Sequence, residues 1–147
     1  MSGMGPRVEH RIGVQASPDR IWEVFSNLPR WRDWNPMYPE ASGSFVIGGT
    51  LHLLEHAPGR ADQRLTARIL DWTPYAQLVL RIEEGFMAHR LQYFEIEKLS
   101  DSGCIFAAGT YFNGWRGPAA ARRLARGLKV GFGLMAEALK EKVERET

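Results

Sequence analysis

A single cysteine, Cys104, leaves the 147-residue chain no partner for an intramolecular disulfide and no thiol set for a multi-cysteine zinc site. Cys104 falls in a strand-like run, which suits a small buried core thiol better than a nucleophile. Long apolar runs are missing as well. No segment reaches the roughly 20 consecutive apolar residues that cross a bilayer, and Met1–Val14 has no apolar core of signal-peptide length. A cytoplasmic protein without integral membrane contact is therefore expected. Nor is there an excess of charge: 19 Lys and Arg against 17 Asp and Glu give +2, too little for the concentrated basic face that nucleic acid requires. The four histidines, His10, His52, His56 and His89, lack metal-ligand spacing. His52 and His56 share a strand face but stand about 13 Å apart along it, too far to hold one ion together. No metal and no cofactor is expected.

What is present reads as one ordinary globular domain. The length suits a single core, and 44% hydrophobic with 24% charged residues is a common soluble composition. Residues 1–6 read as a loose tail. Val8, His10, Ile12 and Val14 alternate along a first strand. Ser17-Pro18-Asp19 then opens a helix, with Ser17 as N-cap, Pro18 at the first helical position and Asp19 at the positive end of the dipole. Pro29 ends it, and Arg30 to Trp34 form a second short turn before Asn35-Pro36. Phe45–Ile47 and Leu51–His56 resemble a hairpin turned by Gly48-Gly49. Strands follow over Arg64–Trp72, Gln77–Glu83, Phe86–Leu99 and Cys104–Phe112, separated by Thr73-Pro74, Gly85 and Asp101-Ser102-Gly103. A long helix, Pro118 to Arg145, carries an apolar stripe of Leu124, Leu128, Phe132, Met135, Leu139 and Val143. Its glycines 127, 131 and 133 each cost about 1 kcal/mol against alanine, which suggests a bend, close backbone packing or room left for something else. The order β-α-α-β-β-β-β-β-β-α is α+β with an antiparallel sheet.

Three stretches together resemble the SRPBCC superfamily, which includes START lipid-transfer domains, aromatic polyketide cyclases and the birch-pollen allergen. They are Ile12–Trp22 followed by Leu28 and Trp31/Trp34-Asn35-Pro36; Ile69-Leu70-Asp71-Trp72-Thr73-Pro74 with Leu78; and Phe94-Glu95-Ile96-Glu97 through Gly103 to Phe112-Asn113-Gly114, ending in Phe132–Glu144. They cover nearly the whole chain. The resemblance implies a helix-grip fold, in which about seven antiparallel strands wrap the C-terminal helix and leave a cavity between them. It also implies hydrophobic-ligand binding as the default role, and it supplies no chemistry. In that fold the second short helix, with Trp34, caps the cavity.

The candidate cavity-lining residues are Trp34, Leu53, Arg90, Gln92, Phe94, Phe106, Thr110, Phe112, Phe132 and Met135. Counting back from Phe94 and Ile96 puts Gln92 and Arg90 on the inner face, where they could orient a ligand carboxylate, phenolate or carbonyl. A bulge near Tyr93 would reverse that register, turning His89, Leu91 and Tyr93 inward and leaving Arg90 in solvent. The residues alone lean towards this second arrangement. His10 and His89 are weak acid–base candidates, and catalytic residues stay unassigned. Arg122, Arg123, Arg126 and Lys129 crowd positive charge at the start of the long helix; a solvated face is the simpler reading, an anionic membrane or acidic partner the sharper one. The expected function is to bind or carry a small hydrophobic molecule, such as a lipid, an aromatic polyketide or a related metabolite. The alternative is a polyketide cyclase/dehydrase-type enzyme using the same space. A homodimer is left open.

Overall fold

The computed structural model describes residues 5–145. Strand β1 (Arg7–Val14) leads into helix α1 (Pro18–Phe25) and a 3-10 turn (Leu28–Asp33). Strands β2 (Glu40–Gly43), β3 (Thr50–Glu55), β4 (Gln63–Thr73), β5 (Gln77–Glu83), β6 (His89–Ser100) and β7 (Gly103–Asn113) follow, and helix α2 (Gly117–Arg145) closes the chain. The strands make one antiparallel sheet in the order β1-β7-β6-β5-β4-β3-β2. This is the helix-grip architecture expected from the sequence.

Local signals place the elements. Ser17 accepts the Arg20 N–H at 3.2 Å, a cap worth about 1 kcal/mol. Period-two alternation sends Leu51, Leu53 and Glu55 of β3, Leu78, Leu80 and Ile82 of β5, and Phe106, Ala108, Thr110 and Phe112 of β7 to the buried face. Helix α2 meets them with Leu124, Leu128, Phe132, Met135, Leu139 and Val143, all buried. Phe25 of α1 fills one end of this layer, with ring centroids 5.4 Å from Trp31, 5.2 Å from Phe94 and 5.9 Å from Phe106. Along the outer edge of β1, the Lys129 ammonium donates to the Glu9 carbonyl at 3.3 Å and the Lys140 ammonium to the Gly13 carbonyl at 2.9 Å.

Gly127 has a specific reason to be in α2. A Cβ there would sit 2.4 Å from the Pro58 carbonyl oxygen, so the loop joining β3 to β4 rests directly on the helix backbone.

Several expectations need correction. Phe45–Ile47 is not a strand. Gly43, with φ of +126°, ends β2, and the loop beyond it folds back onto β4 through Gly48 N–H to Ile69 O and Ile69 N–H to Gly49 O. The Phe45 ring packs on Trp22 and Trp72 at 5.8 and 6.0 Å. Phe86–Ala88 lies outside β6, because Gly85 and Met87 take positive φ and form a turn. The bulge expected near Tyr93 is absent. Tyr93 pairs with Val79 on one side and Gly109 on the other without a break, and the irregularities lie at Ile69/Asp71 and Lys98/Ser100. A Cβ at Gly109 would be 2.5 Å from the Tyr93 hydroxyl, so the glycine makes room for Tyr93 on the outer face, where its hydroxyl donates to Glu9. Arg90 is therefore buried and His89 faces outward. Of the expected loose tail, residues 1–4 lie outside the described residues, while Gly5 and Pro6 hydrogen-bond to Asn113 and Phe112.

Candidate functional site

Five side chains from four parts of the chain converge in the interior. Arg90 and Gln92 come from β6, Glu55 from the end of β3, Glu84 from the turn after β5, and Tyr38 from the segment before β2. The Arg90 guanidinium is 3.0 Å from Glu55 and 2.9 Å from Glu84, and it donates to the Gln92 amide oxygen at 3.2 Å. The Gln92 amide N–H donates to the Tyr38 hydroxyl at 2.5 Å, and that hydroxyl donates to Glu55 at 2.8 Å. Asn35 fixes Tyr38 from behind, its side-chain oxygen accepting the Met37 and Tyr38 N–H groups at 3.0 and 2.9 Å. Arg60, from the β3–β4 loop, completes the set with its guanidinium 3.9 Å from both Glu55 and Glu84. Two guanidinium groups thus face two carboxylates, and burial without such pairing would be prohibitive.

Electrostatics follow from this packing. Burial and the neighbouring Glu55 push the Tyr38 phenol well above its usual range, with Arg90 and Gln92 pulling the other way, so Tyr38 is a hydrogen-bond donor at neutral pH. Burial alone would lower Arg90, but Glu55, Tyr38 and Glu84 outweigh it and hold the guanidinium charged. Cys104 is a core thiol whose pKa is raised by burial, with its sulfur 3.2 Å from the Ala16 carbonyl.

The sequence-derived candidates divide into three groups and one outlier. Arg90, Gln92, Thr110 and Phe112 stand together, since Gln92 pairs with Thr110 and Arg90 with Phe112 across β6 and β7. Phe94 and Phe106 belong to the Phe25 aromatic cluster further along the same strands. Leu53, Phe132 and Met135 lie buried in the layer between sheet and α2. Trp34 stands apart, in a surface groove of about 220 Å³ with Ala138, Glu141 and Lys142 on the C-terminal half of α2. Neither acid–base candidate reaches the cluster. His10 packs towards Gly133, its Nδ1 3.5 Å from where a Cβ would stand, and His89 is on the outer face with its pKa lowered by burial and Arg81. The residues missed at the sequence level are Tyr38, Glu55, Arg60 and Glu84. Glu55 had a signal: it shares the inward parity of Leu51 and Leu53. Tyr38 and Arg60 are in loops, where no periodicity marks them.

The interior around the cluster is closed. Tyr38, Arg90, Gln92, Thr110, Phe112, Leu128 and Phe132 have no surface within reach of a water molecule. This corrects the expectation of standing open space at that level between sheet and helix. A groove of about 370 Å³, open to solvent, lies between Pro58-Gly59-Arg60 of the β3–β4 loop and Arg123, Leu124, Arg126, Gly127 and Val130 of α2. Arg60 lines the groove and also reaches the buried carboxylates.

Solved structures with this fold include the aromatase/cyclase ZhuI from a Streptomyces species, at a TM-score of 0.78 and 18% identity over 96% of this chain and 94% of that one. A START superfamily protein from Mycobacterium smegmatis matches at 0.72 and 19% over 97% and 100%. Norcoclaurine synthase from Thalictrum flavum, in complex with dopamine and hydroxybenzaldehyde, matches at 0.72 and 16% over 97% and 88%. At these identities the likeness is one of fold. No curated protein sequence matches the chain. The family model for polyketide cyclase / dehydrase and lipid transport matches residues 5–144. A chain matched over almost its whole length, folded as a seven-stranded sheet around one terminal helix, belongs to that family within the START/SRPBCC superfamily.

Proposed function

We propose that this protein binds a small, largely apolar molecule bearing a neutral oxygen function, admitted where the β3–β4 loop meets α2. The observation that carries this reading is the Arg90–Glu55–Glu84–Tyr38–Gln92 cluster, ion-paired and hydrogen-bonded inside an otherwise apolar layer, with Arg90 Nε and Glu84 Oε2 left without a hydrogen bond, and connected through Arg60 to the groove. Apolar packing alone needs no such network, and a buried polar network is costly unless every member is satisfied. A carbonyl or phenol oxygen can replace one of its internal bonds, while the surrounding aliphatic and aromatic side chains bury the rest of the ligand at about 25 cal/mol per Å². Because the interior is closed, entry requires the β3–β4 loop to lift from Gly127. Aromatic ligands in the norcoclaurine synthase complex and the aromatase/cyclase activity named for ZhuI support this choice of ligand class.

Native mass spectrometry combined with dye displacement by fatty acids, phospholipids and aromatic ketones tests the proposal. Stoichiometric binding of at least one class is expected, weakened about tenfold in Tyr38→Phe or Gln92→Leu, the loss of one hydrogen bond to a buried polar group. Absence of any ligand, or unchanged affinity in both variants, overturns it. One observation favours a second reading, a cyclase/dehydrase-type enzyme: the Tyr38 hydroxyl and the Glu55 carboxylate, 2.8 Å apart, form a donor–acceptor pair suited to moving a proton. Turnover of a poly-β-ketone analogue that disappears in Tyr38→Phe, with ligand binding retained, selects that reading.

A further inference from the structure

Three loops meet at the end of the molecule where the groove opens. The β3–β4 loop touches the β5–β6 turn through Arg60 and Glu84, 3.9 Å apart, and α2 through Pro58 and Gly127. The β5–β6 turn touches the β7–α2 connection through the Arg116 N–H and the Met87 carbonyl at 3.0 Å. Onto this joined surface project Phe86, 75% exposed, Met87, 52% exposed, and Trp115, 81% exposed. Three large apolar side chains at adjoining loop tips form a contiguous patch that the fold does not use. Met87 holds its place with φ of +57°, which few non-glycine residues adopt.

Positive charge follows the patch along the chain, from Arg116 beside Trp115 into the first turns of α2. Between residues 114 and 136 the chain has five basic residues, Arg116, Arg122, Arg123, Arg126 and Lys129, and no acidic one. All five are exposed. Among the described residues, Arg116, Arg122, Arg123 and Arg126 are in no ion pair. Since the whole chain carries only +2, the remainder of the sequence is net acidic.

We propose that this end docks on an anionic lipid bilayer, with Phe86, Met87 and Trp115 entering the interfacial layer and Arg116, Arg122, Arg123 and Arg126 on the headgroups. A bilayer fits both halves of the surface. Tryptophan and phenylalanine favour the boundary between headgroups and acyl chains, and basic side chains gain from the negative surface potential. The apolar tips stand on separate loops and form no groove or stripe for a partner helix. Docked in this way, the protein would turn the groove between the β3–β4 loop and α2 towards the membrane. The inference goes beyond ligand binding and stands or falls independently of it.

Co-sedimentation with vesicles of phosphatidylcholine, alone or with about a quarter phosphatidylserine, tests the proposal. The protein is expected to bind only the anionic vesicles, and to release as salt is raised. R122Q/R123Q/R126Q is expected to weaken binding about a hundredfold, near fivefold for each arginine. F86A/W115A is expected to weaken it at least about tenfold. The difference between wild-type and Trp115→Phe fluorescence isolates the Trp115 signal, which should shift to the blue on binding. All replaced residues are exposed, and unchanged circular dichroism and urea midpoints exclude misfolding as the cause. No binding to anionic vesicles overturns the proposal, as does binding insensitive to Phe86 and Trp115. Equal, equally Phe86- and Trp115-dependent binding to polyglutamate also overturns it, in favour of an acidic protein partner.

Discussion

Replacing Arg90 with methionine removes the cation that Glu55 and Glu84 contact at 3.0 and 2.9 Å while roughly preserving the length of the side chain. The cation left to both carboxylates is then Arg60, which lies 3.9 Å from each and is partly open to solvent, while Glu55 keeps the Tyr38 hydroxyl. Removing one partner of a buried pair typically costs about 3–5 kcal/mol, because it leaves uncompensated charge in a medium that solvates it poorly. That is a large share of the roughly 5–15 kcal/mol that holds a domain folded. Urea titration followed by tryptophan fluorescence measures the loss as a lower midpoint at unchanged slope. R90M/E55L takes away one charge of each sign, so its loss should fall short of the sum of the single losses by at least about 1 kcal/mol. A loss under about 1 kcal/mol, or strict additivity in the double variant, refutes the claim that these groups form one coupled network.

Three other outcomes follow from the geometry. Gly127→Ala gains up to about 1 kcal/mol of helix propensity but drives a methyl into the Pro58 carbonyl, so faster amide exchange across 57–62 is expected, with little change elsewhere. Phe25→Ala, which takes one ring from contact with Trp31, Phe94 and Phe106, should cost about 3–5 kcal/mol in denaturation midpoints. His89 should titrate below its ordinary 6.5 in a proton NMR series. The unfolded chain then takes up that proton first on acidification, so stability falls as pH drops from 6.5 towards the folded-state value and levels off below it. His89→Gln should remove that part of the acid limb.

The architecture was legible because its signals are local and periodic. The alternation of Leu78, Leu80 and Ile82, the stripe from Leu124 to Val143 and the cap at Ser17 each need only a short window of sequence. Phe45–Ile47 misled because a β-favouring triplet beside two glycines looks like a hairpin arm. What decides its course is the positive φ of Gly43 and the anchoring of Gly48 and Gly49 to Ile69, a residue some 20 positions away. The site was legible only in part. Parity from Phe94 puts Arg90 and Gln92 inward, yet a buried arginine is credible only once its partners are known. Those partners are Glu55, 35 residues upstream, and Glu84, across a turn of irregular backbone. Tyr38 sits in a connection whose conformation is set by Asn35 rather than by any repeat. The open interior was expected from the fold, but its occupancy depends on how far Arg90 and its neighbours fill it, and no pattern of residue types encodes that volume.

The two lysine bonds from α2 to the backbone of β1 bear on how this chain avoids its own kind. A sheet that never closes into a barrel has two rims, each a ladder of unused carbonyls and amides inviting a foreign strand. Here Lys129 and Lys140 occupy carbonyls at Glu9 and Gly13 along one rim, and hydrated ammonium groups there make a poor template for further pairing. The opposite rim is β2, only four residues long and bent by Gly43. The helix that the sheet encloses thus also shields one of its two margins against a foreign strand.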